Sequence, residues 1–298
     1  VLAPRGIEDP NHNLTEVVHD ILGQPAAVAA VGKEARDEGD HLVPFQTDVS
    51  LRQPPVPRVA EVFTGPYRES ELRQLLSTAT ARHLYWFGET IDPADGTVTY
   101  GTSPPGACGI LRETHVADLD AGDETEVQVS FEYSDGGGKV LATKQKAEPA
   151  ADSTALRWLT SGRTVFNNKG KPVKQYEPYF SDTEQRFESL ARGVTPVIYY
   201  DAVGRVVRTE QPDGSYSRVS FSPWHVTTHD ANDTLGEPGN AWYAARMALA
   251  PGAPRRRAAE AAARHAGTPS SVFLDTLGGQ VVRVAHNKYT DRHLVSHD

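Results

Sequence analysis

The chain has 298 residues, a formal net charge of −9, and 38 % hydrophobic and 23 % charged residues. This length suits one large domain or two ordinary ones, and the composition is typical of globular proteins. The negative charge argues against a nucleic-acid surface, which would need a basic stripe. No stretch has the roughly 20 unbroken apolar residues of a membrane helix. We therefore expect no nucleic-acid partner and no membrane contact.

The first residue, Val1, opens in mid-pattern without a signal peptide, and Asp298 closes in charged sequence. We therefore expect a piece of a longer polypeptide, in which the missing signal says little about location. The lone cysteine, Cys108, excludes an internal disulfide. Because it follows a Pro-Pro-Gly run, we interpret it as a small loop residue rather than a nucleophile.

The N-terminal part predicts a turn at residues 9–13, a strand at 14–19, a second turn at 20–23 and a returning strand at 26–31. Residues 32–57 are rich in charge and proline and are predicted to be a loop.

Leucines at helical spacing predict a helix at 70–77, with Ser70 as its N-cap. Further strands are predicted at 82–87, 110–116, 124–133 and 140–146, with a loop at 92–109.

The second half is organised around residues 195–224, whose pattern predicts strand, turn, strand, turn and strand. A short helix capped by Asp182 is predicted at 183–191. The Ala-rich stretch 254–265 predicts a helix within an insertion at 242–266. A final strand, turn and strand follow at 272–285.

One unit recurs, an Asx-x-x-Gly turn with strand pattern on both sides. It occurs at Asp20, Asp135, Asn167, Asp201 and Asp275. Five copies indicate an array of hairpins that bury their apolar faces only side by side. The predicted fold is mainly β, made of consecutive antiparallel hairpins with short helical insertions. We divide it into a first hairpin segment, 1–150, and a second, 151–298.

The pattern Tyr200-Asp201-x-x-Gly204-Arg205, followed by Pro212-Asp213-Gly214, resembles a YD (RHS) repeat. More widely, the chain resembles the TcaC/TcdB-like, SpvB-associated B component of the Tc (ABC) insecticidal toxin complexes. The stretches that carry this resemblance are RWLTSGRTVFNNKGKPVKQYEPYFSDT from Arg157, EDPNHNLTEVVHDILGQPAAVAAVGK from Glu8, RETHVADLDAGDETEVQVSFEYSDGGGK from Arg112, FSPWHVTTHDANDT from Phe221 and AARHAGTPSSVFLDTLGGQVVRVAHN from Ala262.

The resemblance implies a structural virulence protein, part of a spiralling β-hairpin shell that encapsulates a toxic effector for delivery. It implies a C component and a pore-forming A component as partners, and secretion as part of the toxin complex. The chain departs from the family at Lys139 and Gly279, where Arg is usual after the turn glycine. The alternative is a cell-surface or secreted RHS-type β-protein that binds carbohydrate or a protein. Exposed aromatics on one open face would favour that alternative.

No catalytic, cofactor or metal site is predicted, and the chain is not expected to be an enzyme. The most metal-like group is His225, His229 and Asp230. On a strand, His225 and His229 share a face and Asp230 points away, so three ligands do not converge.

Other candidate residues have structural interpretations. The acidic run Asp118, Asp120, Asp123 and Glu124 lacks the EF-hand pattern and is interpreted as a solvated loop. Asp201 and Asp275 are expected to cap backbone N–H groups. We expect Trp158, Trp224 and Trp242 to be core anchors. We interpret Arg255, Arg256 and Arg257 as a solvated helix face, and His265 and His286 as surface residues.

Overall fold

Antiparallel strands dominate the computed structural model, which describes residues 3–33, 38–181, 183–188, 193–289 and 292–297. The strands are β1 (Gly6–Glu8), β2 (Leu14–His19), β3 (Pro25–Gly32), β4 (Ala81–Trp86), β5 (Glu89–Ile91), β6 (Val98–Tyr100), β7 (Gly106–Arg112), β8 (Val127–Ser134), β9 (Val140–Ala147), β10 (Arg157–Ser161), β11 (Thr164–Phe166), β12 (Pro172–Gln175), β13 (Tyr179–Ser181), β14 (Val197–Tyr200), β15 (Val206–Glu210), β16 (Tyr216–Phe221), β17 (His225–His229), β18 (Ser270–Leu274), β19 (Gln280–Tyr289) and β20 (Arg292–His297).

The helices are short and are confined to insertions between strands. They are α1 (Val43–Thr47), α2 (Val49–Arg52), α3 (Val56–Thr64), α4 (Glu69–Leu76), α5 (Ala241–Met247) and α6 (Pro254–Ala262), with 3₁₀ turns at Val116–Asp118 and Ala263–His265. The prediction of a mainly β fold built from antiparallel hairpins with short helices is confirmed. A spiral is not visible in this chain.

The chain divides into two compact units, residues 1–163 with 177–192, and residues 164–176 with 193–298. The first unit holds a nine-stranded sheet in the order β1-β2-β3-β4-β7-β8-β9-β10-β13. The second holds a seven-stranded sheet in which β14 to β20 follow one another. Two-stranded hairpins, β5–β6 and β11–β12, complete the described strands. The predicted boundary between repeat segments at residue 150 stays a prediction.

A hydrophobic core lies on one face of the nine-stranded sheet. Helix α3 buries Val59, Val62 and Phe63, and α4 buries Leu72, Leu75 and Leu76. In both helices these positions follow the i, i+3, i+4 spacing of a single helical face. They pack against alternate sheet residues such as Ile110, Phe131 and Trp158.

The predicted loop at 32–57 is wrong for its second half, which contains α1, α2 and the start of α3. The prolines suggested a loop, but Pro44 and Pro57 lie in the first turns of helices. Backbone N–H groups there have no partner within the helix, so proline loses no hydrogen bond. Asp48 then caps α2 by accepting N–H bonds from Ser50 and Leu51. Burial of Leu42 and Phe45 fixes the segment on the sheet.

Other local predictions also need correction. Residues 183–188 form turns rather than the predicted helix, whose remaining residues, 182 and 189–191, lie outside the described residues. Helix α4 begins after Arg68, so Ser70 is not its N-cap. The predicted loop at 92–109 contains β6 and the first residues of β7. The helix at 70–77 and the insertion at 242–266 are confirmed within a residue.

The second unit has little core of its own. Among its described residues the buried apolar side chains are Tyr216, Leu235, Ala259 and Val284. Most residues of β14 to β18 are half-buried instead. The helical insertion between β17 and β18 is held by polar contacts, because Asp233 accepts bonds from the N–H groups of Asp230 and Thr268.

Candidate functional site

The five predicted Asx turns share one geometry. In each, the Asx N–H donates to the carbonyl four residues later and the glycine N–H donates back to the Asx carbonyl. The Asx Oδ1 accepts two further backbone N–H groups at 2.7–3.0 Å. The glycines adopt φ of 70–87°, which other residues rarely adopt. Each turn adjoins a shift in strand register, the signature of a three-residue hairpin loop with a bulge.

The turn carboxylates are therefore structural, as predicted for Asp201 and Asp275. The backbone N–H of Arg205 donates to Asp201 and lowers its pKa. The backbone N–H of Lys139 does the same for Asp135. A carboxylate whose lone pairs receive such bonds is a weak base and a poor candidate for proton transfer.

A sixth turn of this kind was not predicted as a copy of the repeat because its fourth residue is not glycine. Asp9 makes the same backbone bonds to Asn13 and His12, and its Oδ1 accepts the N–H groups of Asn11 and Asn13. His12 stands in the glycine position at φ 63°. A search for Asx-x-x followed by any residue that tolerates positive φ would have found this turn.

The two faces of the nine-stranded sheet have different chemistry. On β8, Val127, Val129, Phe131 and Tyr133 are buried, whereas the intervening residues are polar and more exposed. Strand pairing aligns the polar face with Gly109 on β7 and with Gln145 on β9. The helices pack on the apolar face. The opposite face is mainly small and polar, but it includes the exposed side chains of Leu111 and Phe180.

A buried ammonium group fastens residues 183–188 to this sheet. Lys144 Nζ donates to Ser181 Oγ at 2.8 Å, to Thr183 Oγ1 at 2.7 Å and to the Glu184 carbonyl at 2.9 Å. Glu188 lies 4.0 Å away, with only 6 % of its side chain exposed. Burial raises the pKa of Glu188, but hydrogen bonds from Ser181 and Thr183 and the Lys144 charge outweigh it, so the pKa is lowered overall.

A second buried cation ties α2 to the sheet. Arg82 donates to the carbonyl oxygens of Ala26 and Leu51 at 2.6 and 2.9 Å, beneath the ring of Phe45. Burial lowers its pKa to about 10. Hydrogen bonds to carbonyls, rather than a carboxylate, stabilise this charge. Neither Arg82 nor Lys144 was predicted from the sequence, because each occupies an apolar-face position of an alternating strand.

The histidines of β17 belong to the most metal-like group of the sequence. His225 and His229 lie on one face, as predicted, but Asp230 caps the next turn by accepting N–H bonds from Asn232 and Asp233. His229 pairs in register with Arg218, and burial followed by that positive charge lowers its pKa. Within the described part of the chain, no group of three or more His, Cys, Asp or Glu residues could hold a metal ion.

One serine contacts a histidine. Ser222 Oγ lies 2.7 Å from His225 Nδ1 and accepts the N–H groups of Trp224 and His225. Those two bonds hold the hydroxyl in the turn. Among the residues that the structure describes, no carboxylate bonds to His225, so the orienting third group of a catalytic triad is missing. The geometry is that of a capped turn.

Cys108 lies on β7 and is fully buried, which corrects its interpretation as a loop residue. Burial raises the pKa of its thiol, so the nucleophilic thiolate is disfavoured. The acidic residues 118–124 lie in an exposed loop, where Glu124 pairs with Arg73 at 3.0 Å.

The three tryptophans lie in different environments. Trp158 is a core residue, in ring contact with Tyr67 and Phe131. Trp242 is half-buried under the Arg246 guanidinium at 3.9 Å. Trp224 is 57 % exposed on a turn, so its prediction as a core anchor is wrong.

The arginines and histidines that were predicted at the surface are exposed or half-buried. Arg255 and Arg257 are exposed on α6, and Arg256 pairs with Glu260 at 2.9 Å. His265 is exposed at a helix end, and His286 is half-buried on β19. In the described part of the chain, no helix is long and apolar enough to cross a membrane.

The fold of this chain matches segments of larger solved chains. The chain matches the crystal structure of TcdB2–TccC3 with a TM-score of 0.65 and 19 % identity, over 99 % of this chain and 13 % of that chain. It matches a Photorhabdus luminescens Tc holotoxin pore with a TM-score of 0.67 and 18 % identity, over 99 % and 15 %. The TcdB2–TccC3–Cdc42 structure gives a TM-score of 0.64 and 17 % identity, with the same coverages.

The fold is therefore that of a segment of a Tc toxin B component, as the sequence resemblance predicted. The chain spans 13–15 % of the length of the solved chains that it matches. No protein-family model matches the chain. No curated protein matches it either.

Proposed function

We propose that this chain forms part of the wall of a hollow β-shell of the Tc B-component type, which encloses a toxic effector for delivery. The observation that carries the proposal is the collinear fold match over 99 % of the chain to the TcdB2–TccC3 structure. The proposed role is structural and needs no active site.

Two-faced sheets suit a wall. The nine-stranded sheet packs one face against its own helices and presents a face of small and polar residues on the other side. Such a mainly polar face can border a lumen or solvent. Among the described strands, each large sheet ends in an edge strand on both sides, and pairing with neighbouring strands would extend the sheet.

The proposed partners are a C component and a pore-forming A component, with the assembly acting outside the producing cell. Support comes from the names of the matching structures, which are TcdB2 with TccC3 and a Tc holotoxin pore. We also propose that the hairpins of the shell follow a spiral.

Catalysis is not part of the proposed role. The recurring Asp residues are occupied by backbone N–H groups, Cys108 is buried, and Ser222 with His225 caps a turn. Carbohydrate binding is less well supported, because exposed aromatic residues are spread over both units. They are Phe87, Tyr100, Phe180, Tyr199, Trp224 and Phe273.

The proposal is tested by replacing the matching segment of TcdB2 with this chain and co-expressing the chimera with TccC3. Negative-stain electron microscopy is expected to show closed particles that protect the enclosed effector from added protease. The control chimera carries the native TcdB2 segment with the same junction residues. Well-expressed chimeras that remain open and leave the effector accessible, while the control closes, would contradict the proposal.

A further inference from the structure

The turns at one end of the seven-stranded sheet carry apolar side chains at positions where polar residues are usual. Leu277 is 94 % exposed, Val203 is 76 % exposed and Trp224 is 57 % exposed. They belong to the turns 201–204, 222–225 and 275–278, which we call the turn row. The turns lie at the same end because β14 to β19 are antiparallel and adjacent in order.

Two contacts connect neighbouring turns of the turn row. The Arg205 guanidinium lies 4.2 Å from the centre of the Phe221 ring, which links the first turn to the second. The Leu274 N–H donates to the Trp224 carbonyl at 2.8 Å, which links the second turn to the third. Phe273, at 42 % exposure, extends the apolar area. Several exposed apolar side chains at one end of a sheet favour an interaction site there.

Lysines border the turn row on one side. Lys169 Nζ donates to the Ala202 carbonyl at 2.7 Å, and the Lys171 side chain approaches Gly204 closely. Asp201, the carboxylate of the same turn, is already paired with Arg205 at 2.7 Å. The partner should therefore be apolar with a negative border.

The first unit presents such a surface. Residues 87–105, which we call the acidic excursion, connect β4 to β7 and contain the hairpin β5–β6. They carry Glu89, Asp92 and Asp95 and no Lys or Arg. Phe87 and Tyr100 in this segment are 52 % and 72 % exposed.

We propose that the turn row of one copy of this chain docks on the acidic excursion of a second copy. The contact is heterologous, because it joins two different surfaces of the same chain. Apolar contact between Leu277, Val203 and the exposed aromatics would drive it, and the lysines would set its orientation. The proposal does not depend on the shell function.

The test is sedimentation of the full 298-residue chain over a range of concentrations at low salt. Self-association into dimers or larger species is expected, and 0.5 M salt should weaken it, since ionic screening reduces charge attraction. The double variant Val203→Ser/Leu277→Ser is expected to weaken association by about tenfold or more. The matched control Arg255→Glu/Arg257→Glu changes exposed residues of the helical insertion outside the turn row and should leave association unchanged.

Charge reversal adds a second, complementary test. Lys169→Glu/Lys171→Glu and Asp92→Lys/Asp95→Lys should each weaken self-association, and mixing the two variants should restore it, because each supplies what the other lacks. A chain that remains monomeric, a mixture that fails to recover, or association unaffected by the turn-row variants would overturn the proposal. Binding of the turn row to anionic lipid vesicles without self-association would also overturn it.

Discussion

The two units use the same hairpin and turn chemistry but are stabilised differently. In the first, helices α3 and α4 bury a continuous apolar core that includes Trp158 and Phe131. In the second, half-buried strands are tied by ladder hydrogen bonds and by pairs such as Arg218 with Glu237 at 2.7 Å. The Asx turn therefore specifies a hairpin but not what covers it. We therefore expect the second sheet to need cover from neighbouring structure.

The tryptophans should show the largest contrast between the units. Trp158→Ala should lower the free energy of unfolding of the first unit by about 3–5 kcal/mol, because it empties a packed ring cluster. Trp224→Ala, at an exposed turn, should change stability by less than about 0.5 kcal/mol. Urea unfolding of the full chain measures both, with Trp158→Phe as the conservative control. Equal losses at the two sites would remove the distinction between the units.

The buried Lys144 cluster should be the next most sensitive point. Glu188→Gln leaves the ammonium group without its carboxylate and should lower the stability of the first unit by roughly 1.5–3 kcal/mol. Glu132→Gln, on the exposed face of β8, is the matched control. Hydrogen exchange of amides in β8 and β9 measures the change, and a control variant as damaging as Glu188→Gln would refute the assignment.

The same cluster gives the first unit a pH dependence. The folded-state pKa of Glu188 lies below its ordinary value of 4.5. The stability that ionised Glu188 contributes is therefore complete above about pH 4.5. It is lost as the pH falls through the folded-state pKa. Urea unfolding should show that lowering the pH from 6 to 3.5 reduces the free energy of unfolding less for Glu188→Gln than for the parent chain. Identical losses in both would show that Glu188 does not carry this dependence.

Two substitutions in the turns should have smaller effects on stability, and these effects should be of opposite sign. Gly204→Val should destabilise the second unit by about 1 kcal/mol or more, because φ is 87° and a Cβ would lie 3.2 Å from Lys171. Thermal unfolding monitored by far-ultraviolet circular dichroism measures the loss. A melting temperature equal to that of the parent would show the glycine to be incidental.

His12→Gly should do the reverse at the sixth turn. It relieves a non-glycine residue at φ 63°, at the loss of an exposed contact with Glu8, and should stabilise by at most about 1 kcal/mol. The control Asn11→Gly changes the neighbouring turn residue without relieving the positive φ at His12. A melting temperature that falls for His12→Gly would contradict this interpretation of the turn.

The fold was predictable where its causes are local. Asx and glycine at fixed spacing, with strand pattern on both sides, indicate a hairpin, so all five turns were found. The spacing alone is not enough, because Asp233 and Gly236 share it and form no hairpin. Helix α3 was missed because Pro57 resembles a helix breaker until its first-turn position is known. Trp224 was wrongly predicted to be a core anchor, because the exposure of a turn residue depends on contacts with residues that are distant in sequence. Lys144 and Arg82 were missed because buried cations need partners that are distant in sequence.

Hydrogen exchange of β15 and β16 can decide whether the second sheet is built to be covered by neighbouring structure in a shell wall. Amides of residues 206–210 and 216–221 would be compared between the isolated chain and the TcdB2 chimera assembled with TccC3. We predict that assembly slows their exchange by about a hundredfold or more, while amides of β8 change little because the first unit has its own core. Equal exchange of β15 and β16 in both states would show that the second sheet needs no cover.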